Sequence, residues 1–349
     1  MGQDRSNDAP VVDVYGPEGL RIWLRTAIRY SVSRIVPPYR VHEIMNIPMA
    51  PPWEYNPRSR RYFYKGAPEN AQWNVHKGLA GEDMTNWISQ STQFTIEPST
   101  LYGEMDGGRS IYPTYNHPQS VNGSPIWLIE DDVDVQVFAA PMSHGIPCVG
   151  YVIQEKSRAG RLRNEYVEPI VQRNKAALVQ AGFVVPMRAL AVIKNLPPGA
   201  TFTFPDGTIV RQEDAVEPER TGRKIVICGD TCCAMAISKL AHNADVIIHE
   251  ATNAYLTGVD TKDTTLSQVR RDAIIHGHST PQMAAQFCQK IDGQILLMNH
   301  FSARYKGDPS VDSLSIMLRI EKQACQAANY NETQVIAAWD MMILPVPQH

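Results

Sequence analysis

The last third of the chain alternates short apolar runs with segments of helical period, and this alternation confines it to a layered α/β architecture. The apolar runs are "KIVICGD", "DVIIHEAT", "QILLMNH" and "TQVIAAWDMMIL". Between them lie helix-patterned stretches through "AMAISKLAH", from "GHSTPQMAAQFCQKI" and onward from Val311. The N-terminal end repeats the step. "VVDVY" (11–15) predicts a strand, and the following "GPEGLRIWLRTAIRY" sets Leu20, Trp23, Leu24, Ala27 and Ile28 on one helical face, with Pro17 suited to a first turn. In "DVDVQVFAA", Val133, Val135 and Val137 alternate with polar residues as in a half-buried strand. At 349 residues and 43% hydrophobic, the chain can bury a large core and accommodate one to three domains.

Two stretches interrupt the pattern. From about Ile47 to Gly123 the sequence is rich in Pro, Tyr, Trp and Asn without a sustained period, as in "PMAPPWEYNPRSRRYFY". This reads as an insertion, expected to form a surface subdomain, with a partner- or RNA-contacting element as the alternative. The second is "EKSRAGRLRNEYVEPIVQRNKAALVQAGF", where Lys156, Arg158, Arg161 and Arg163 precede a helical pattern that on its own predicts a solvated face.

The formal net charge is −3, so no global basic field marks the chain as a nucleic-acid binder, and any such contact must be local. No apolar stretch approaches the roughly 20 residues that span a bilayer, and no secretory h-region opens the chain. An intracellular protein without a membrane partner is expected. "MGQDRS" matches only the loose myristoylation pattern. The six cysteines include no C-x-x-C pair, which predicts reduced, mostly buried thiols, with a zinc site in "CGDTCC" as the lesser alternative.

The apolar runs end alike. His144, Asp230, the pair His249 and Glu250, and His300 each fall at or just past a strand, and His278 sits where "GHST" enters a helix. Singly, each has an ordinary explanation as a hydrogen-bonded strand end or a helix cap. Together they match an α/β sheet whose strand ends along one edge build a site. Histidine and aspartate are ligand types that zinc accepts, an aspartate can bridge two ions, and Glu250 with His278 offers an acid/base pair. This chemistry suits hydrolysis of a phosphodiester or another ester.

Taken in order, "YGPEGL", "SHGIPCVGY", "CGDT", "IHEAT", "GHST" and "NHFSARY" resemble the ribonuclease Z family, the tRNA 3′-processing endonucleases of the metallo-β-lactamase superfamily, from about Val11 to Met342. The resemblance implies a metallo-β-lactamase-like αββα sandwich, an α/β fold carrying a long insertion. It implies that His144, Asp230 and His300 ligate zinc, two ions in the complete enzyme, with Asp230 bridging. Glu250 and His278 would then be the catalytic pair that assists departure of the RNA 3′-oxygen, and Arg304 a phosphate contact. The substrate implied is precursor tRNA, with a homodimer as the assembly. The segment 157–200 lies where the family carries a tRNA-gripping arm, which would make Arg158, Arg161 and Arg163 substrate contacts, although the family's Gly-Pro-rich sequence is not present in its usual form. The expected division is 1–46 as the remainder of the first half, 47–123 as the insertion, 124–156 as core strands with the ligand loop, 157–200 as the arm, and 201–349 as the second half.

The family's H-x-H-x-D-H motif, due before "YGPEGL", is absent from the sequence, in which "HGH" (276–278) is the only H-x-H. An N-terminally incomplete sandwich is therefore expected. The chain reads as the C-terminal part of a longer enzyme, inactive alone, with Met1 an internal methionine. The alternatives are a partner-completed or non-catalytic tRNA-binding protein, or another hydrolase of the superfamily.

Overall fold

The computed structural model describes residues 10–30, 37–50, 53–56, 61–64 and 103–347. Most of the predicted insertion, including 65–102, lies outside the described residues, as does the "MGQDRS" start. The described residues divide into two compact units, one holding those up to Gln154 together with Lys224–Val346, the other holding Glu155–Arg223.

The larger unit opens with β1 (Val12–Pro17), α1 (Leu20–Tyr30) and β2 (Tyr39–Ile44). Trp53–Asn56 (β3) and Arg61–Tyr64 (β4) then form a two-stranded ribbon, and Ser110–Ile111 (β5) joins β1 and β2 in a parallel three-stranded sheet. Next come β6 (Trp127–Asp131), β7 (Val135–Met142) and β8 (Cys148–Glu155). Beyond the smaller unit follow β11 (Lys224–Ile227), β12 (Val246–Glu250), β13 (Ile295–Asn299) and β14 (Val335–Ala337). Together they make a seven-stranded sheet in the order β14-β13-β12-β11-β8-β7-β6. Strands β11 to β14 run parallel, whereas β8 pairs antiparallel with β11.

Core composition shows how these sheets stack. Ile44, Ile111, Trp127, Ile129 and Ala139 form one buried cluster, joining the three-stranded sheet to the β6–β7 end of the large one. Trp127 is wholly buried and its indole N–H still finds the Met45 carbonyl at 2.9 Å, as a buried indole requires. Outside the small sheet, Leu20, Leu24 and Ile28 of α1 pack on Val14, Tyr39 and Val41. On the other face of the large sheet, Ala284, Phe287, Met317, Ile320 and Ala324 cover Val226, Ile247, Leu296 and Met298. They belong to α8 (Pro281–Lys290) and α9 (Val311–Ala328). The layer order is helix, sheet, sheet, helices, the αββα arrangement anticipated from the motifs.

The strands buried on both faces read as near-continuous apolar runs because neither face meets water. One expected strand position is corrected. Val133 is 89% exposed and lies in a bend before β7, because the Asp132 carboxylate accepts from the N–H groups of Asp134 and Val135 and makes a turn there. A helix not anticipated from the sequence is α7 (Leu266–Ile275), whose Thr265 and Gln268 form a capping box.

The smaller unit holds α2 (Asn164–Arg173), α3 (Lys175–Gln180), α4 (Arg188–Lys194), the β9–β10 hairpin (Thr201–Thr203, Ile209–Arg211) and α5 (Gln212–Ala215). Val167, Val171, Leu178, Ile193, Phe204 and Val210 form its own buried core. Its bounds, Glu155–Arg223, extend past the 157–200 expected of an arm, because the hairpin after Gly199 supplies Phe204 and Val210 to that core. Among the described residues no helix is long and apolar enough to cross a membrane.

Candidate active site

Because β11, β12 and β13 are parallel neighbours, their carboxyl ends share one edge, at strand spacings of about 4.8 Å. Asp230 follows β11, Glu250 ends β12 and His300 follows β13. The β7–β8 turn reaches the same edge, since β8 is antiparallel to β11, and it is tied there by Ser143 N–H donating to the Cys233 carbonyl and Cys232 N–H donating to that of Ser143. This turn carries His144. His278 comes from the α7–α8 connection, held by its N–H bond to the Ala273 carbonyl and followed by Thr280, which caps α8.

Glu250 is the organising group. It is 1% exposed, and its carboxylate accepts from Thr231 N–H at 2.6 Å, Ser279 N–H at 3.0 Å, His278 Nδ1 at 3.0 Å and the Thr252 hydroxyl at 2.5 Å. Burial pushes its pKa up, but these donors outweigh burial and hold it below the usual carboxylate range. The same bond raises His278 above an ordinary imidazole, against the smaller opposing effect of its own burial, so the pair favours carboxylate with imidazolium.

Thr252 settles a second tautomer. Its hydroxyl proton goes to Glu250, so its oxygen accepts from His300 Nδ1 at 2.8 Å, leaving the His300 Nε2 lone pair available. His144 Nδ1 bonds the Gly277 carbonyl at 2.8 Å, the carbonyl contact that commonly orients a metal-ligating histidine. Gly277 has φ 79°, and a Cβ there would stand 2.5 Å from His144 Nδ1, so only glycine fits both the turn and the ring. His300 itself adopts φ 53°, a left-handed conformation costing on the order of 1–3 kcal/mol that is typical of functional sites.

Asp230, His278 and His300 can each aim one ligand atom so that all lie within 4.8 Å of one another. The family resemblance names His144, Asp230 and His300 as ligands. His144 is close, its ring 5.1 Å from that of His278, but outside this cluster. The donor set, one carboxylate and imidazoles with Nδ1 already engaged, fits zinc. No cysteine belongs to this cluster, and burial pushes the Cys148 thiol up to about 12, with the Asp230 charge adding to the effect, which keeps it protonated.

Arg304 follows His300 in the loop after β13. Its guanidinium bonds Asp260, the Ala254 carbonyl and the Tyr305 hydroxyl, so it ties the loop after β12 to the loop after β13. Arg158, Arg161 and Arg163 are exposed in the smaller unit, with Arg163 also donating to the Asp214 carbonyl at 3.1 Å. Thr231, Thr252, Ser279 and Gly277, which hold Glu250, His278 and His144, carry no signal of their own in the sequence, although all stand in or beside "CGDT", "HEAT" and "GHST".

Known proteins are similar to this sequence. The chain is 30% identical over 236 residues to ribonuclease Z of Bacillus velezensis, spanning 65% of this chain and 67% of that protein. It is 27% identical over 345 residues to zinc phosphodiesterase ELAC protein 1 of Bos taurus, spanning 96% of this chain and 74% of the relative. Ribonuclease Z of Synechocystis matches at 36% over 184 residues, 52% of this chain and 48% of that protein. No protein-family model matches. The solved structure of human tRNase Z, short form, aligns at a TM-score of 0.44 and 20% identity, over 98% of this chain and 70% of that one.

Proposed function

This chain belongs to the ribonuclease Z family, the tRNA 3′-processing endonucleases, and on that premise we propose that the edge built on Asp230, Glu250, His278 and His300 carries out its phosphodiester hydrolysis on precursor tRNA. The observation that carries this reading is the Glu250–His278 bond at 3.0 Å beside Asp230 and His300. In the reaction, water adds its oxygen to phosphorus and gives up a proton to solvent as the P–O3′ bond breaks. The leaving 3′-oxygen takes a proton from His278 Nε2, while Glu250 holds His278 through Nδ1 and stabilises the imidazolium. Asp230 and His300, with His144 alongside, are the residues that would hold zinc. The chemistry zinc supplies when bound is polarisation of a phosphoryl oxygen and activation of water.

Two zinc ions need about three protein ligands each, more than the described residues of this edge offer, and H-x-H-x-D-H is absent from these 349 residues. This favours a second reading beside the first, in which further ligands come from another polypeptide or the chain binds tRNA without cutting it. Exposed Arg158, Arg161 and Arg163 would contribute phosphate neutralisation, and that contribution would weaken with salt.

The test is cleavage of a 3′-extended tRNA precursor with zinc, by the chain alone and with a polypeptide bearing H-x-H-x-D-H added. Trailer release that His278→Ala abolishes supports the catalytic reading. Binding without release under both conditions supports the tRNA-binding reading, and neither binding nor release removes both.

A further inference from the structure

Past the ends of β13 and β14, next to the catalytic edge, lies a cavity of about 290 Å³, close to the lower bound of ordinary ligand sites. His300 belongs to its wall and also to the metal-competent cluster, so the cavity opens beside the place where the scissile phosphate would sit. Three aromatic side chains, Phe301, Tyr305 and Trp339, line it; Tyr305 belongs to the main core and the other two pack against that core, which anchors them. Asn299 and Asp340 line it as well, with side chains that make no hydrogen bond among the described residues. Lys306 adds an exposed cation at the wall.

These groups complement one kind of occupant. A nucleobase presents a flat face, which stacks on aromatic rings, and a polar edge, which amide and carboxylate groups read. A carboxylate accepts only, so Asp340 selects an edge bearing an amino or imino donor, while the Asn299 amide both donates and accepts. A lysine ammonium meets the adjoining phosphate as a point charge. A purely apolar ligand would leave Asn299 and Asp340 desolvated without partners, which is costly.

We propose that this cavity is a nucleobase subsite, which seats the base of a nucleotide next to the phosphate held at His300. The inference rests on the RNA-cleaving reading above and deepens it by naming a recognition element. One face of the cut is then read through stacking on Trp339 and through hydrogen bonds to Asn299 and Asp340.

The experiment uses the full chain with zinc and two precursor RNAs, each carrying 2-aminopurine on one side of the cleavage site. Fluorescence is read on mixing, because this base loses emission when it stacks. The expected result is quenching at one of the two positions, its loss in Trp339→Ala, and its return in Trp339→Phe, which keeps an aromatic face. Affinity in Trp339→Ala should fall about 5- to 150-fold, the range for losing one base–aromatic stack. RNA that binds without quenching at either position, or quenching and affinity unchanged in Trp339→Ala, overturns the subsite and leaves the cleavage reading standing. RNA that does not bind at all overturns the parent reading and the subsite with it.

Discussion

The sheet edge around Glu250 and the Glu155–Arg223 unit place charge in opposite ways. At the edge, Glu250 is buried and ionised, with its oxygens shared among backbone amides, a hydroxyl and an imidazole. In the smaller unit the carboxylates face water beside arginines: Asp206 bonds Arg173 at 2.9 Å, Glu217 bonds Arg220 at 2.7 Å, and Glu155 bonds Arg223. A buried charge is tolerated only when every lone pair is satisfied, whereas a surface pair is screened and contributes little. Order at the edge therefore rests on a few indispensable groups. In the smaller unit it rests on the apolar core around Val167, Ile193 and Phe204.

The sharpest break in this contrast is Glu250→Ala, which strands the donors of Thr231, Ser279 and Thr252 in a buried site. Urea unfolding should show a loss of about 3–5 kcal/mol, as for removing one partner of a buried charged pair. A loss below 1 kcal/mol would place Glu250 among the surface pairs.

Gly277→Ala should cost about 1–3 kcal/mol from its positive φ and also displace His144. Unfolding measures the first effect, and the His144 imidazole resonance in an NMR spectrum reports the second. An unmoved resonance would show that the close approach is relieved elsewhere.

Thr252→Val keeps the shape of the side chain but removes the hydroxyl that orients His300 and bonds Glu250. Zinc affinity by calorimetry should fall about 10- to 100-fold, the usual effect of removing an outer partner of a ligand. Unchanged affinity would remove His300 from the ligand set.

The smallest effect is expected at Arg223→Ala, about 0.2–1 kcal/mol for a partly exposed pair. Its pH dependence has a definite sign. The Arg223 guanidinium holds the Glu155 carboxyl down at about 2, against an ordinary 4.5, so the pair stabilises the fold fully above about pH 4.5. That stabilisation disappears as pH falls towards 2. The difference in stability between wild type and Arg223→Ala should therefore narrow from pH 6 to pH 3, and a difference independent of pH would assign the effect to lost packing instead.

Much of this was readable in the chain. The apolar runs that became β11 to β14 announce themselves because strands buried on both faces need no polar alternation. Glu250, Asp230 and His300 are visible as polar residues closing such runs, and His278 as a histidine at a helix entry. Helix α7 was overlooked because its apolar face is narrow, with only Val269 and Ala273 buried, although "TLSQ" spells its capping box. Val133 was misplaced because period-two alternation runs on through the Asp132 turn.

The sequence by itself determined the layered α/β class and the residue types at each strand end, since both follow from local period and from what apolar runs can bury. Only the tertiary structure decided which of those residues meet. Parallel pairing of β11, β12 and β13 brings Asp230, Glu250 and His300 to one edge, and the α7–α8 connection inserts His278 among them, beside Asp230 and His300. The same pairing turned Arg304 towards Asp260 and Ala254. Spacing along a chain carries no record of such contacts, because they depend on strand order and on hydrogen bonds between residues as far apart as His144 and Gly277.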